Sequence, residues 1–167
     1  MKICKKSFII ALVVFLSFSR VSAQSLSFAR NFELEDTRGN KITLNSFKGK
    51  QFVFLFFWTT WCPFCVKGLK LLNDRYVSLA KDNVKLLAIN VGESRSQLER
   101  FLKNSPVACP IFLDKDTSVA RSFNLMGVPT YIIINKDGRI VYEENYFPDE
   151  EYKNLIGTQI NTDEKYR

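Results

Sequence analysis

Residues 51–58 read QFVFLFFW, and only the first of them is polar. A run this apolar, rich in Phe and Val and without alternation, suits a strand covered on both faces. Such a strand needs helices above and below it, which points to an α/β domain built on a central sheet. The runs VKLLAINV (84–91) and YIII (131–134) repeat the signal. Between the first two, Val66, Leu69, Leu72, Tyr76 and Leu79 fall at spacings of three and four, the period of a helix with one apolar face. With 46% apolar residues in 167, the chain has material for one well-packed core.

The remaining pattern is weaker. Phe32-Glu33-Leu34 and Ile42-Thr43-Leu44 alternate around Arg38-Gly39-Asn40 and read as a hairpin. Ser94 and Gln97 have capping-box spacing ahead of a helix through Leu98, Phe101 and Leu102. A short extended piece is expected at 111–113 and a short helix at 118–123. Lys136-Asp137-Gly138 reads as a turn before a strand over 139–143, and a last helix is expected over 149–160. The order predicts a mixed central sheet flanked by helices, with an N-terminal β-hairpin extension. There is no internal repeat and no low-complexity tract.

Residues 1–23 have the grammar of a secretory signal peptide: Lys2, Lys5 and Lys6, an apolar run from Phe8 to Phe18, then Val21-Ser22-Ala23 at a cleavage site. This eleven-residue run is short for a membrane span, which needs about 20 apolar residues. The reading is therefore an exported, periplasmic or extracytoplasmic protein cleaved near Ala23, with an uncleaved anchor as the alternative. A lead-in (24–31), one domain (32–160) and a tail (161–167) follow. Loss of the leader lowers the net charge from +7 to +3, so the basic character argues little for nucleic acid as a partner.

The chain contains no histidine. This excludes Ser-His-Asp and Cys-His nucleophile pairs, histidine-ligated zinc and histidine-bound haem. Chemistry must come from other groups, and Trp61-Cys62-Pro63-Phe64-Cys65 sits where the first buried strand meets the first helix. Pro63 suits the opening turn of a helix. Cys62 then sits at the helix N-terminus, where free N–H groups and the helix dipole favour a thiolate, the attacking species in disulfide exchange. Cys65, one turn on, can close a disulfide onto Cys62. Three cysteines outside the leader cannot complete a zinc site, and a structural disulfide gains little from so short a loop. No metal and no cofactor are expected.

FFWTTWCPFC, followed some sixty residues later by Gly127-Val128-Pro129-Thr130, resembles the thioredoxin superfamily. The export signal, the opening NFELEDTRGNKITLNSFKGK and the strand form FLFFWTTWC resemble its TlpA/ResA-like branch of extracytoplasmic thiol-disulfide oxidoreductases. The resemblance covers roughly 31–160 and implies a thioredoxin-like fold. It makes Cys62 and Cys65 the catalytic pair and places a cis peptide bond before Pro129. A cis bond there would turn the Val128 backbone toward an extended substrate beside Cys62. Trp61, Pro63, Phe64, Val128 and Pro129 are accordingly the candidate substrate-binding residues.

Two acids associated with this family are missing. Phe56 stands where thioredoxins carry a buried carboxylate, and Gly68 where the branch often carries a Glu. Glu33, Glu35 and Asp36 are the nearest acids by sequence reasoning, with nothing to locate them at the thiols. Cys109 reads as a buried small hydrophobe, or else as a third redox thiol. Trp58 reads as core.

The leading function is therefore an enzyme that reduces or isomerises protein disulfides through a Cys62 mixed disulfide resolved by Cys65. Without the histidine that DsbA-like oxidants carry between their cysteines, the Cys62 thiolate is less stabilised, which favours reductase over oxidase work. A thiol peroxidase of peroxiredoxin type is the alternative. Thr59-Thr60-Trp61-Cys62 supplies a T-x-x-C fragment, but Leu55 stands where a peroxidase has proline. A non-catalytic binding module is the third class. Expected partners are protein thiols and disulfides, apocytochrome c among them, and a membrane-bound electron donor. The protein is expected to be monomeric.

Overall fold

The computed structural model describes residues 27–148 and 152–157. The proposed leader and tail, and half of the helix expected over 149–160, lie outside the described residues. Residues 152–157 of that helix are helical, with Tyr152 and Ile156 buried.

Among the described residues, seven strands form one mixed sheet in the order β2-β1-β5-β4-β3-β6-β7. They are β1 (Glu33–Asp36), β2 (Lys41–Thr43), β3 (Phe52–Trp58), β4 (Val84–Val91), β5 (Ile111–Asp114), β6 (Thr130–Ile134) and β7 (Ile140–Glu144). Three helices are interleaved: α1 (Pro63–Lys81), α2 (Arg95–Asn104) and α3 (Ser118–Ser122). Central β3 runs parallel to β4 and antiparallel to β6, and every one of its residues is buried.

The two-period of a strand divides those residues between two cores. Phe54, Phe56 and Trp58 join Cys65, Leu69, Leu72 and Leu98 on the α1 and α2 side. Val53, Leu55 and Phe57 join Phe32, Leu44, Val119 and Phe123 on the other. Each fully buried large side chain is worth about 1.5–3 kcal/mol, so β3 is the strand from which the fold draws most. Its C-terminal end leads directly into the turn that precedes α1.

The Ser94–Gln97 capping box forms as expected and starts α2. The hairpin is more than an extension. β1 pairs antiparallel with β5 and widens the sheet itself. Arg95 of α2 ties it down through the Glu35 carboxylate and the Thr37 and Asp36 carbonyls. The lead-in also has a place that its irregular sequence hides. Phe28 bridges to Arg139, and Ser27 accepts a hydrogen bond from the Ile140 N–H, which covers the outer edge of β7. That last strand lies one residue later than its apolar pattern predicts.

Candidate active site

α1 opens directly after β3 and the turn Thr59-Thr60-Trp61. Cys62 is its N-cap, with extended backbone, and Pro63 occupies the first turn. The Cys62 and Cys65 sulfurs form a disulfide across a Cα–Cα distance of 5.2 Å. The Cys65 N–H donates to Cys62 Sγ at 3.2 Å, which is the helix-terminal stabilisation expected of a thiolate at this position. Exposure separates the two sulfurs: Cys62 is 7% exposed and Cys65 is fully buried. An incoming group therefore meets Cys62 first.

Two exposed aromatic side chains flank Cys62 in the chain. Trp61 is 71% exposed and Phe64 72%, with the Lys67 ammonium 5.9 Å from the Phe64 ring centroid. The Val128–Pro129 peptide bond is cis, and the Val128 carbonyl oxygen lies 3.9 Å from Cys62 Sγ. Met126, two residues earlier on the same loop, is fully exposed. Thr130 Oγ1 donates to the Gly127 carbonyl at 2.7 Å. Asn145, just past β7, donates to the Pro129 carbonyl at 2.8 Å and to Thr130 Oγ1 at 3.2 Å. The seven predicted site residues thus lie on two neighbouring segments: Trp61 to Cys65 on the turn after β3 and the first turn of α1, and Val128 and Pro129 on the loop before β6, with the Val128 carbonyl beside Cys62 Sγ.

Beneath the pair, Phe56 and Gly68 occupy the places of the missing acids, and the space between them is not wholly apolar. A Cβ built on Gly68 would collide with the Tyr131 hydroxyl and approach the Phe56 ring to 3.1 Å. Tyr131 stacks on Phe56 with centroids 4.8 Å apart, and burial pushes its phenol up to about 12. The floor carries one hydroxyl, which the sequence reading left out.

The sequence reading also missed the buried acid. Glu33, Glu35 and Asp36 all lie on the hairpin: Glu33 pairs with Lys41, Glu35 with Arg95, and Asp36 accepts from the N–H groups of Arg38 and Asn40. The carboxylate behind the reactive turn belongs to Glu93, which is 6% exposed. Its Oε2 accepts from the Thr60 N–H and from Asn90 Nδ2, both at 2.7 Å, and its Oε1 accepts from Thr60 Oγ1 at 2.6 Å. Gly92 makes the placement possible. It turns out of β4 at φ +71°, a conformation open to glycine, and donates to the Asp114 carbonyl.

Cys109 stands apart at the head of β5, buried beside Tyr76, Leu102 and the hairpin turn. Burial pushes its thiol up to about 11, as befits a small core residue. Trp58 is fully buried. Among the described residues no helix is long and apolar enough to cross a membrane, and no group of His, Cys, Asp and Glu could hold a metal ion.

Residues 27–143 match the AhpC/TSA family. The chain is 37% identical over 139 residues to the thiol-disulfide oxidoreductase ResA of Bacillus subtilis (strain 168), covering 83% of this chain and 76% of that protein. Among solved structures, StoA from Bacillus subtilis aligns with a TM-score of 0.62 at 28% identity, over 70% of this chain and 88% of that one. The mitochondrial 2-cys peroxiredoxin from Plasmodium falciparum aligns with a TM-score of 0.69 at 20% identity, over 85% and 97%, a likeness of fold alone.

Proposed function

The chain belongs to the AhpC/TSA family and is a thioredoxin-like thiol-disulfide oxidoreductase similar to ResA, and from that premise we propose that it reduces or isomerises the disulfides of exported proteins. The observation that carries the reading is the asymmetry of the pair: Cys62 at a helix N-terminus beside the Val128 carbonyl, keeping a small exposure of 7%, and a Cys65 one turn below with none.

In the reduced enzyme the Cys62 thiolate attacks one sulfur of a substrate disulfide. A Cys62–substrate disulfide forms, and the other substrate sulfur leaves as a thiolate that takes up a proton. Cys65, having lost its own proton, attacks Cys62 Sγ. The Cys62–Cys65 disulfide forms and the second substrate thiol departs, so two electrons pass to the substrate and two cysteine thiols are oxidised. Trp61, Phe64 and the Val128 backbone hold the substrate segment in line. An external dithiol must then reduce the pair, and a membrane-bound electron donor fits that need in an oxidising compartment.

Residues 1–23 are proposed as the signal that exports the chain, with the thiols of apocytochrome c among its substrates and a monomer as the working form. The family match leaves peroxide chemistry as the second reading. Insulin reduction with dithiothreitol, run beside a peroxide-consumption assay, separates the two. Insulin reduction dependent on Cys62 supports the disulfide reading, and peroxide turnover without it overturns that reading.

A further inference from the structure

We propose that Glu93 is a positioning residue for disulfide exchange, aligning the turn that carries Trp61 and Cys62 with the substrate-facing Val128 loop. The proposal rests on the reading above that protein disulfides are the substrate.

Thr60 lies two residues before Cys62, in a turn without regular secondary structure to hold it. Both polar hydrogens of Thr60 go to one carboxylate, its N–H to Glu93 Oε2 and its hydroxyl to Oε1. Such a two-point grip fixes orientation as well as distance, as a single hydrogen bond does not. The carboxylate is itself anchored, since fully buried Asn90 donates to Oε2 from the end of β4, beside Trp58 at the end of β3. The reactive turn is thereby fastened to the two central strands instead of hanging from its own backbone. Cys62 needs such fastening because the Val128 oxygen lies only 3.9 Å from its sulfur, and an extended substrate must fit both at once.

Glutamine separates positioning from the mere presence of a buried acid. Its carbonyl oxygen can replace Oε2, accepting from Thr60 N–H and Asn90 Nδ2, while its amide donates to Thr60 Oγ1, which a hydroxyl can accept. All three bonds survive in Glu93→Gln, and none survives in Glu93→Ala.

The test measures, in single turnover, reduction of two substrates by the full chain first reduced with dithiothreitol and then freed of it: insulin, which must lie along the Val128 loop, and the small aromatic disulfide DTNB, which needs only the sulfur. Glu93→Ala is expected to lose about tenfold or more on insulin and less than about threefold on DTNB, within the roughly hundredfold range that misplacement costs. Glu93→Gln is expected to recover the insulin rate to within about threefold of the natural chain, and Thr60→Val, which keeps one of the two grips, to fall between the alanine and glutamine variants. Equal losses on both substrates, no loss on insulin, or no recovery by glutamine would each overturn the positioning role. Should Glu93→Ala fail to fold, the insulin-to-DTNB ratio of Thr60→Val decides, and a ratio equal to that of the natural chain overturns the role. A natural chain that reduces DTNB but never insulin instead refutes the protein-disulfide reading, and this proposal with it.

Discussion

The Tyr131 hydroxyl stands where any side chain on Gly68 would have to go. The glycine sits inside α1, on its buried face, one turn after Cys65, where it costs the helix about 1 kcal/mol against alanine. The gap it leaves lets a phenol from β6 reach the helix backbone, stacked on Phe56 beneath the cysteine pair.

Gly68→Ala is therefore expected to destabilise the protein by about 1–2 kcal/mol, since overpacking a filled core outweighs the gain in helix propensity. In a Tyr131→Phe background the same change should cost less, because the colliding oxygen is gone and only the close approach to the Phe56 ring remains. Urea unfolding of the four proteins in this cycle measures the coupling, and a coupling energy near zero would show that the two positions do not compete for one space.

Much of this architecture was legible because apolar period and strand burial are the same fact seen twice. Residues 52–58 carry no polar side chain, so no face of β3 could be wet. The capping box was legible because its two residues lie three apart. Glu93 was not, because its partner Thr60 is 33 residues away and only the β3–β4 register brings them together. The hydroxyl of Tyr131 was hidden for a related reason: the periodicity of YIII says that the strand is buried, without saying which helix position faces the ring. The edge pairing of Phe28 had no sequence signal, since a single bridge needs no alternation.

The unequal exposure of the two sulfurs makes a directional prediction. Cys65→Ser should accumulate mixed disulfides through Cys62, because the resolving thiol is absent. Cys62→Ser should accumulate almost none, since Cys65 is fully buried. Non-reducing electrophoresis of acid-quenched samples, followed by mass spectrometry, reads the difference. Equal trapping by both variants would remove the proposed division of roles.

Asn145 bridges the Pro129 carbonyl and the Thr130 hydroxyl from beyond the end of β7. Replacing it with alanine should cost about 1 kcal/mol of stability, the net worth of an ordinary hydrogen-bonded side chain. The larger effect should fall on KM for a protein disulfide, because the loop it braces is the one facing Cys62. Steady-state kinetics with insulin checks this, and a change confined to kcat would argue against a docking role for the loop.

Alkaline pH should weaken the fold, through groups far apart in sequence. Burial raises the Cys109 thiol from its ordinary 9.0 to about 11 and the Tyr131 phenol from 10.0 to about 12. Both groups are neutral when protonated, so between those limits the folded chain holds protons that the unfolded chain has released. Stability then falls with rising pH. The Cys109 contribution is complete below about pH 9 and declines as pH rises toward about 11, with Tyr131 following about one unit later. Urea midpoints measured at about pH 8 and about pH 10.5 should show the loss. Cys109→Ala, although less stable at neutral pH through lost packing, should show a flatter decline over that interval. The same burial makes Cys109 slow to alkylate in the folded protein at neutral pH and fast in urea. A Cys109 that reacts with iodoacetamide equally fast in both conditions, together with an unchanged midpoint at high pH, would mean that the thiol is not buried in the folded chain.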